Sequence, residues 1–427
     1  MDQQPTLTET PAVALSGISH VEGGRRWLLL CSLFVCFFML LALYCGVLAV
    51  LLPNQIAALD PAHKVENLGL MFFVTSIFST LTTPIAGAFS DRTRSKWGRR
   101  TPWIVAGSVI GAIALASVAY MPTFWTITAV WVIAAIALNS MQPALTTVVA
   151  DRFPEHARGT ASGFVGAGMT AGGTVGMIVA GRLANNMPLA YAVFAGAIAI
   201  CCIAFVILNH DTSSKGEPLA KFRAGDFAKG FWIDPKAYPD FWWAFAGRFT
   251  IYMGYQAIVT YLLYILQDYI GLGTDRANIV IGTVSAITFV CVMTSSFLSG
   301  VLSDWIKRRK PFVFAASLIM GAALVVPLFM PNLEGMYGYA ALIGIGYGAF
   351  MSIDMALMTQ VLPKDTGEAG KDLGLLTTAV NIPQIISPVM AAQLLKYFNT
   401  DYRMLFIAAL IFVFAGSFFV LPIKSVK

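Results

Sequence analysis

Long apolar stretches alternate with short polar connections along this chain from about residue 27 onwards. Each stretch holds on the order of 20 residues, enough for an α-helix to cross a hydrocarbon core about 30 Å thick. Lipid offers the backbone no hydrogen-bond partners, so such segments must be helical. The pattern predicts twelve transmembrane helices, at about 27–52, 67–90, 102–121, 124–149, 160–182, 189–209, 241–267, 277–302, 311–330, 336–361, 372–396 and 403–422.

One polar region precedes the first helix, and a second divides the pattern into two sets of six helices. Residues 1–26 form a predicted flexible tail without the features of a signal peptide. Residues 210–240 are polar and charged, which is typical of a linker. The prediction is therefore an all-α polytopic membrane protein with pseudo-symmetric six-helix bundles at 27–209 and 241–427.

Composition excludes a soluble protein. Hydrophobic residues make up 57% of the chain, charged residues 12%, and the mean hydropathy is +0.73, whereas soluble domains carry about 25% charged residues. The net charge of +6 is dispersed among the helix connections, so we expect no nucleic-acid partner. The six cysteines lie in apolar stretches without metal-ligand spacing, so we expect them to pack and expect neither metal nor cofactor.

No catalytic motif accompanies the helices. The four histidines lie in the tail or in connections, and the sequence contains no zinc-protease His-Glu-x-x-His or nucleotide-binding Gly-x-x-x-x-Gly-Lys-Ser/Thr pattern. We therefore expect neither an enzyme nor an ATP-driven pump. A membrane receptor of the same architecture would bind a ligand without transporting it.

One motif occurs twice, once in each half. Gly87–Trp103 (GAFSDRTRSKWGRRTPW) and Gly300–Phe312 (GVLSDWIKRRKPF) both run from Gly-x-x-x-Asp through a basic cluster to Pro and an aromatic residue. Pro102 and Pro311 are 209 residues apart, as are Pro154 and Pro363. The chain is therefore predicted to be an internal duplication.

Lys and Arg are distributed unevenly between the two sets of helix connections. If both termini are cytoplasmic, 22 of the 28 fall on that side, five on the outer side and one, Arg248, within a span. Positive residues are enriched in cytoplasmic connections. We therefore predict a multi-pass protein of the cell membrane, whether inner or plasma membrane, with both termini cytoplasmic.

The duplicated motif, the six-plus-six pattern and the charge bias together resemble the major facilitator superfamily over essentially the whole chain. Ser90–Ile104 (SDRTRSKWGRRTPWI) is longer than the usual motif and is similar to the branch of glycoside-pentoside-hexuronide symporters and sucrose transporters. Pro154–Gly163 and Gly370–Gln384 are similar to the same branch. The resemblance implies secondary active uptake of a sugar or glycoside by alternating access, usually coupled to a cation, and we expect a monomer.

The resemblance also implies a gate at the cytoplasmic ends of helices 2 and 8, where the two motif carboxylates lie. Each carboxylate can face a helix N-terminus or a nearby Arg, and would latch the halves together until the site opens inward. Arg152, Arg158 and the start of helix 11 near Lys371 are candidate partners for Asp91. The alternative is that these charges only set topology. The predicted gating residues are Asp91, Arg92, Arg99, Arg100, Arg152, Arg158 and Asp304.

Two charged residues lie well inside predicted spans, Arg248 in helix 7 and Asp354 in helix 10. Intramembrane charges are costly and mark functional sites. Their similar depth predicts an ion pair, in which Asp354 takes up a coupling proton or, alternatively, the pair statically aligns two helices. The segments 67–90 and 124–149 contain no Asp or Glu, unlike the cation sites of melibiose permeases. This disfavours sodium and leaves protons, or no coupling ion.

Uncharged polar residues in the spans are candidate sugar contacts, because a sugar needs hydrogen-bonding groups and aromatic faces. The alternative is that the amides hold helices together and the tyrosines pack. Tyr252 and Tyr261 are further aromatic candidates. The predicted substrate-binding residues are Tyr44, Gln55, Asn139, Gln142, Tyr255, Gln256, Asn381 and Gln384. A proton-antiport exporter of a drug or metabolite is the alternative function.

Overall fold

The computed structural model describes residues 23–211, 213–215, 239–306, 310–361 and 369–423. Most of the predicted tail and of the predicted linker lies outside these ranges, as does Pro363. The side chains of Asp304 and Lys371 are also outside the described part, so the predictions made for them stay predictions. The boundaries of the two bundles likewise remain predictions.

Twelve helices in the described ranges are long and apolar enough to cross a membrane. The first six are α1 (Gly23–Leu59), α2 (Lys64–Arg92), α3 (Thr101–Val118), α4 (Phe124–Arg152), α5 (Glu155–Leu183) and α6 (Met187–Leu208). The second six are α7 (Pro239–Tyr269), α8 (Thr274–Ile306), α9 (Lys310–Phe329), α10 (Leu333–Val361), α11 (Ala369–Tyr397) and α12 (Tyr402–Phe419). The predicted fold class and the six-plus-six arrangement are confirmed.

Some helices extend beyond the apolar stretches from which they were predicted. α1 continues to Leu59 although the apolar run ends near residue 52, and α2 begins at Lys64 instead of residue 67. The polar residues in the added turn of α1, Asn54 and Gln55, are buried and hydrogen-bonded inside the protein. A hydropathy boundary therefore marks the edge of the apolar layer and not the end of the helix.

Two helices contain one π-helical turn each. The turns are Val47–Leu51 in α1 and Ile265–Tyr269 at the end of α7. These are the first helices of the two six-helix sets. A π turn accommodates an extra residue within an α-helix and is often found at functional sites.

Small residues let the helices within each half pack closely. In the first half α1 packs on α5 and α6, and α4 on α2 and α3; in the second, α7 packs on α11 and α12, and α10 on α8 and α9. On α5, a Cβ at Gly172 or Gly176 would collide with the carbonyl oxygens of Phe38 and Ala42 on α1. Glycine at these two positions therefore permits the close contact of α1 with α5.

The two halves meet along two pairs of helices, α2 with α11 and α5 with α8. Additional contacts join the π-helical turn of α1 to α7. α7 and α10 also contact each other within the second half. This brings Arg248 and Asp354 onto adjacent helices.

Candidate functional site

Arg248 on α7 and Asp354 on α10 form a buried ion pair. Arg248 Nε lies 3.2 Å from Asp354 Oδ2, and each side chain is 6% exposed. Arg248 Nε and Nη1 and Asp354 Oδ2 have no hydrogen-bond partner in the described chain. The contact expected from their similar depth is therefore present, but as two charges in proximity without a well-formed hydrogen bond.

An aromatic cluster adjoins this pair. The rings of Tyr255 and Tyr347 are stacked, with centroids 4.1 Å apart and an interplanar angle of 4°. Tyr252 stands edge-on to Tyr347 and to Phe350 at 6.1 and 6.3 Å, and the Arg248 guanidinium carbon lies 5.9 Å from the Tyr252 ring centroid. The charged pair therefore has one aromatic wall.

Tyr347 and Phe350 were missed by the sequence analysis. The signal that reveals them is helical spacing: Tyr347, Phe350 and Asp354 share one face of α10, as Arg248, Tyr252 and Tyr255 share one face of α7. The Tyr252 hydroxyl donates to Met351 Sδ at 2.8 Å, which further ties α7 to α10. The two faces together form the second half's contribution to the site.

The first half offers amides and an unpartnered hydroxyl. Asn139 Nδ2 donates to Ser79 Oγ at 3.1 Å and to Ala135 O at 2.8 Å. Gln142, one turn further along α4, is half-buried. The buried Tyr44 hydroxyl has no hydrogen-bond partner in the described chain, and its ring lies edge-on to Trp131. Of these groups, Tyr44 has the most clearly unsatisfied polar atom.

Gln55 is a correction to the expected substrate contacts. Its Nε2 donates to Val118 O at 2.9 Å and its Oε1 accepts from the Tyr191 hydroxyl at 2.8 Å, so both ends of the amide bind within the first half. The role left to it is to join α1 to α3 and α6. The amide is therefore not available to a solute in this conformation.

The remaining expected contacts are dispersed. Gln256 Nε2 lies 3.4 Å from Thr260 Oγ1 on the same helix. Asn381 is half-buried, whereas Gln384 is exposed and its backbone carbonyl accepts from Ser76 at 3.5 Å. Tyr261 is fully buried, and its hydroxyl contacts Val65 O and Pro388 O, so it cannot offer a free ring face.

Asp91 has a different partner from those expected. Arg100 Nη1 lies 2.6 Å from Asp91 Oδ1, and Arg100 also donates to Ser90 Oγ and to Asp151 Oδ2 at 3.0 and 3.1 Å. Arg99 lies 3.4 Å from the same Asp151 oxygen. Asp151 was missed by the sequence analysis, and this four-residue ionic cluster belongs entirely to the first half.

Two of the three expected partners of Asp91 bind elsewhere. Arg152 lies 3.5 Å from Asp211 Oδ1, and Arg158 donates to the carbonyl oxygens of Phe153 and Ala150 at 3.2 and 3.0 Å. Arg92 lies at the end of α2. The predicted pairing of Asp91 with Arg152 or Arg158 is therefore wrong for this conformation. Arg100 of the same motif lies closer and pairs with Asp91 instead.

Polar contacts that join the two halves cluster on the opposite side of the helices from this ionic cluster. Asn54 Nδ2 donates to Asn278 Oδ1 at 2.6 Å, and the Tyr264 hydroxyl donates to Pro53 O at 2.8 Å. Lys64 pairs with Asp268 at 2.7 Å. This network between the two halves was not predicted from the sequence. It closes the interface between the halves at the C-terminal ends of α1 and α7 and the N-terminal ends of α2 and α8.

Comparison with known proteins gives a family and three informative likenesses. The profile of the Major Facilitator Superfamily matches residues 30–367 and, in a second match, residues 274–426. The Fujikurins efflux protein of Gibberella fujikuroi is 25% identical over 348 residues, which span 79% of this chain and 69% of that protein.

Two solved structures share the fold at low identity. A bacterial homolog of the human lysosomal transporter Spinster, in an inward-facing and occupied conformation, matches with a TM-score of 0.75 and 14% identity over 95% of this chain and 98% of that chain. A D-xylose-proton symporter matches with a TM-score of 0.67 and 15% identity over 94% and 98% of the two chains. Proteins named for efflux and for symport are thus both similar to this chain.

Proposed function

The chain belongs to the Major Facilitator Superfamily and is a multi-pass membrane transporter, and on that premise we propose that it couples solute movement to protons through Asp354. The observation that carries the proposal is the buried ion pair with Arg248. Asp354 is the acceptor of the coupling proton, and Arg248 is the residue that controls when it can be protonated.

Burial and the neighbouring charge act on Asp354 in opposite directions. Removal from water favours the neutral carboxyl, whereas the guanidinium favours the carboxylate. The Nε–Oδ2 contact lacks hydrogen-bond geometry, so a small displacement of α7 relative to α10 changes the balance. Proton uptake is thereby linked to helix movement.

The proposed solute is a sugar or glycoside taken up into the cytoplasm across the cell membrane. The motif segments that resemble sugar symporters support this assignment, and the stacked Tyr255 and Tyr347 offer an aromatic wall for a sugar ring. The proposed contacts are Tyr44, Asn139, Gln142, Tyr255, Gln256 and Asn381; the exposed Gln384 is a contact from the edge of the site.

The network at Asn54, Tyr264 and Lys64 supports the assignment of this conformation as open towards the cytoplasm. If the basic side is cytoplasmic, as the Lys and Arg distribution predicts, the contacts close the outer side and the site opens inward. Alternating access then requires these contacts to break. The motif cluster at Arg100 stays within the first half in this state.

An exporter is the second candidate function, and the 25% identity to an efflux protein favours it. The two functions differ in direction. A host that lacks its own permease for one sugar, and carries this chain instead, grows on that sugar only if the chain imports it. Absence of growth on the sugar, together with proton-dependent loss of a preloaded compound from vesicles, would establish export.

Coupling is tested by changing Asp354→Asn in purified protein reconstituted in vesicles. A thermal-shift screen against mono- and disaccharides first selects a solute, since ligand binding stabilises the native state. We expect the variant to lose uphill accumulation under a proton gradient while retaining exchange. Glu334→Gln, an exposed carboxylate in the first turn of the same helix, is the matched control and should accumulate normally. Accumulation by Asp354→Asn at the control rate would refute the coupling role.

A further inference from the structure

Arg248 has more hydrogen-bonding capacity than its surroundings use. A guanidinium presents five N–H donors, yet Nε and Nη1 are buried without a hydrogen-bond partner in the described chain although Asp354 lies 3.2 Å away. Tyr252 offers its ring, with the guanidinium carbon 5.9 Å from the centroid. Donors remain available for a second acceptor.

Within the described part of the chain, the pair is isolated from other charges. The charged side chains described on α7, α10 and the helices packed against them all belong to helix ends: Arg25, Arg26, Asp240, Asp268, Asp275, Arg276, Lys310, Glu334, Lys396 and Arg403. The titratable groups facing the pair are the hydroxyls of Tyr252 and, beyond it, Tyr347. Among the described side chains, only Asp354 therefore compensates the charge of Arg248.

Protonation of Asp354 would leave Arg248 as a buried cation without a counter-charge, which is strongly unfavourable. A planar carboxylate is the group that best matches a guanidinium, because it accepts two parallel N–H bonds. If Asp354 takes up a proton, an anionic group on the solute can replace it. The exchange costs less than leaving either charge alone.

We propose that the transported solute carries a carboxylate that binds Arg248 when Asp354 is protonated. This rests on the proposed proton role of Asp354, and it narrows the solute from a sugar in general to an acidic sugar or another carboxylate-bearing compound. The proton forms an O–H bond on Asp354, Arg248 stays protonated, and the solute stays ionised. One proton and one monoanion together carry no net charge.

The first test uses Asp354→Asn, which mimics the protonated state, with acetate as the probe. Acetamide is the neutral isostere, and sodium chloride matches the ionic strength. We expect acetate alone to raise the Tm of the purified variant saturably, by at least about 2 °C. The double variant Arg248→Gln/Asp354→Asn should show no such rise. The single variant Glu334→Gln, in which Asp354 must first take up a proton, should show a smaller rise than Asp354→Asn. No rise in Asp354→Asn, or an equal rise with acetamide or in the double variant, overturns the proposal.

The second test needs no variant, and so remains decisive if Asp354→Asn does not fold. D-glucuronate and D-glucose differ by a carboxylate in place of a hydroxymethyl group on the same ring. In weakly buffered detergent solution, glucuronate should bind wild-type protein with uptake of one proton per site, and glucose should bind at least tenfold more weakly. Preferential binding of glucose, or glucuronate binding without proton uptake, overturns the proposal.

The two proposals fail separately. The rise in Tm with acetate and the proton uptake with glucuronate are both measured without a membrane gradient. They therefore report on Arg248 and on the charge of the solute. Accumulation in vesicles reports on coupling. A variant that recruits acetate through Arg248 while Asp354→Asn still accumulates solute would preserve the anion site and refute the coupling role.

Discussion

The Tyr264 hydroxyl donates a hydrogen bond to the carbonyl oxygen of Pro53 at 2.8 Å, and both groups are buried. Tyr264 immediately precedes the π-helical turn of α7, and Pro53 lies two residues after the π-helical turn of α1. The first helix of each half is thereby bound to its counterpart where both are irregular. Neighbouring contacts from Asn54 to Asn278 and from Gln267 to Asn54 reinforce the connection.

In the proposed orientation, with both termini cytoplasmic, Tyr264→Phe should weaken closure of the outer side. Loss of one hydrogen bond removes about 1 kcal/mol, which corresponds to about a fivefold rise in the outward-open population. The measurement is the distance between spin labels at Ala62→Cys and Gly273→Cys, exposed positions in different halves, in a background without native cysteines.

The control for this prediction is Tyr191→Phe. Tyr191 is equally buried and also loses a hydroxyl contact, but its partner Gln55 lies in the same half. The distance distribution should not change in this variant. Equal distributions in both variants, or a change in Tyr191→Phe alone, would refute a gating role for Tyr264.

Arg248→Gln should destabilise the protein most strongly at high pH, where Asp354 stays ionised and is left as a buried charge without a counter-charge. Loss of one partner of a buried ion pair costs about 3–5 kcal/mol of unfolding free energy. Changing both residues, in Arg248→Gln/Asp354→Asn, should recover most of the loss. Thermal unfolding of the two single variants and the double variant gives the comparison; additive losses would show that the residues do not interact.

Asp151→Asn should destabilise the protein more than Asp91→Asn, although Asp91 makes the shorter contact with Arg100. The Asp91 side chain is 59% exposed and that of Asp151 is 26% exposed. Solvent screens exposed ion pairs to about 0–1 kcal/mol, whereas a partly buried charged hydrogen bond contributes about 1.5–3 kcal/mol. Thermal unfolding of both variants measures the order, and a larger loss for Asp91→Asn would contradict it.

Asp91→Asn is expected to affect transport more than stability. In this conformation the carboxylate binds Arg100 within its own half, and the latch role predicted from the motif concerns a different conformation. Uptake by the variant in vesicles, corrected for the amount of protein, should fall. Wild-type uptake would show that Asp91 only sets topology.

Gly176→Ala should destabilise the contact of α1 with α5. An added Cβ collides with the Ala42 carbonyl, and overpacking of this kind costs about 1–3 kcal/mol. Gly166→Ala, on the same helix with no atom within 4 Å of the added Cβ, should leave stability unchanged or raise it by about 0.4–1 kcal/mol. Comparable Tm values for the two alanine variants would show that α1 can move away from the added Cβ without loss of stability.

The architecture could be predicted from the sequence because apolar runs of this length allow only one kind of structure in lipid. The same reasoning placed Arg248 and Asp354 together, since residue depth along two helices predicts which charges can meet. The ion-pair partners of charged residues at helix ends were harder to predict. Asp91 was assigned to distant arginines, but the connection folds back and brings Arg100, nine residues later, into contact.

Residues whose role depends on rotation about a helix axis were the hardest to predict. Tyr347 escaped notice because its importance depends on a stacked partner in another helix, Tyr255. Asn278 likewise binds Asn54 across the two halves, and no local pattern links them. Single-sequence reasoning identifies polar residues within spans but does not determine which neighbour each one faces.

The π-helical turn in α1 explains why Gln55 does not face the site: the turn rotates the following part of the helix about its axis. Tyr44 and Gln55 are eleven residues apart, which is about three turns of a regular α-helix and would place both side chains on one face. The turn at Val47–Leu51 takes up an extra residue between them and rotates everything beyond it by about 100°. Gln55 accordingly faces Val118 and Tyr191. Arg248, Tyr252 and Tyr255 all precede the corresponding turn of α7 and keep the phase that the sequence predicts.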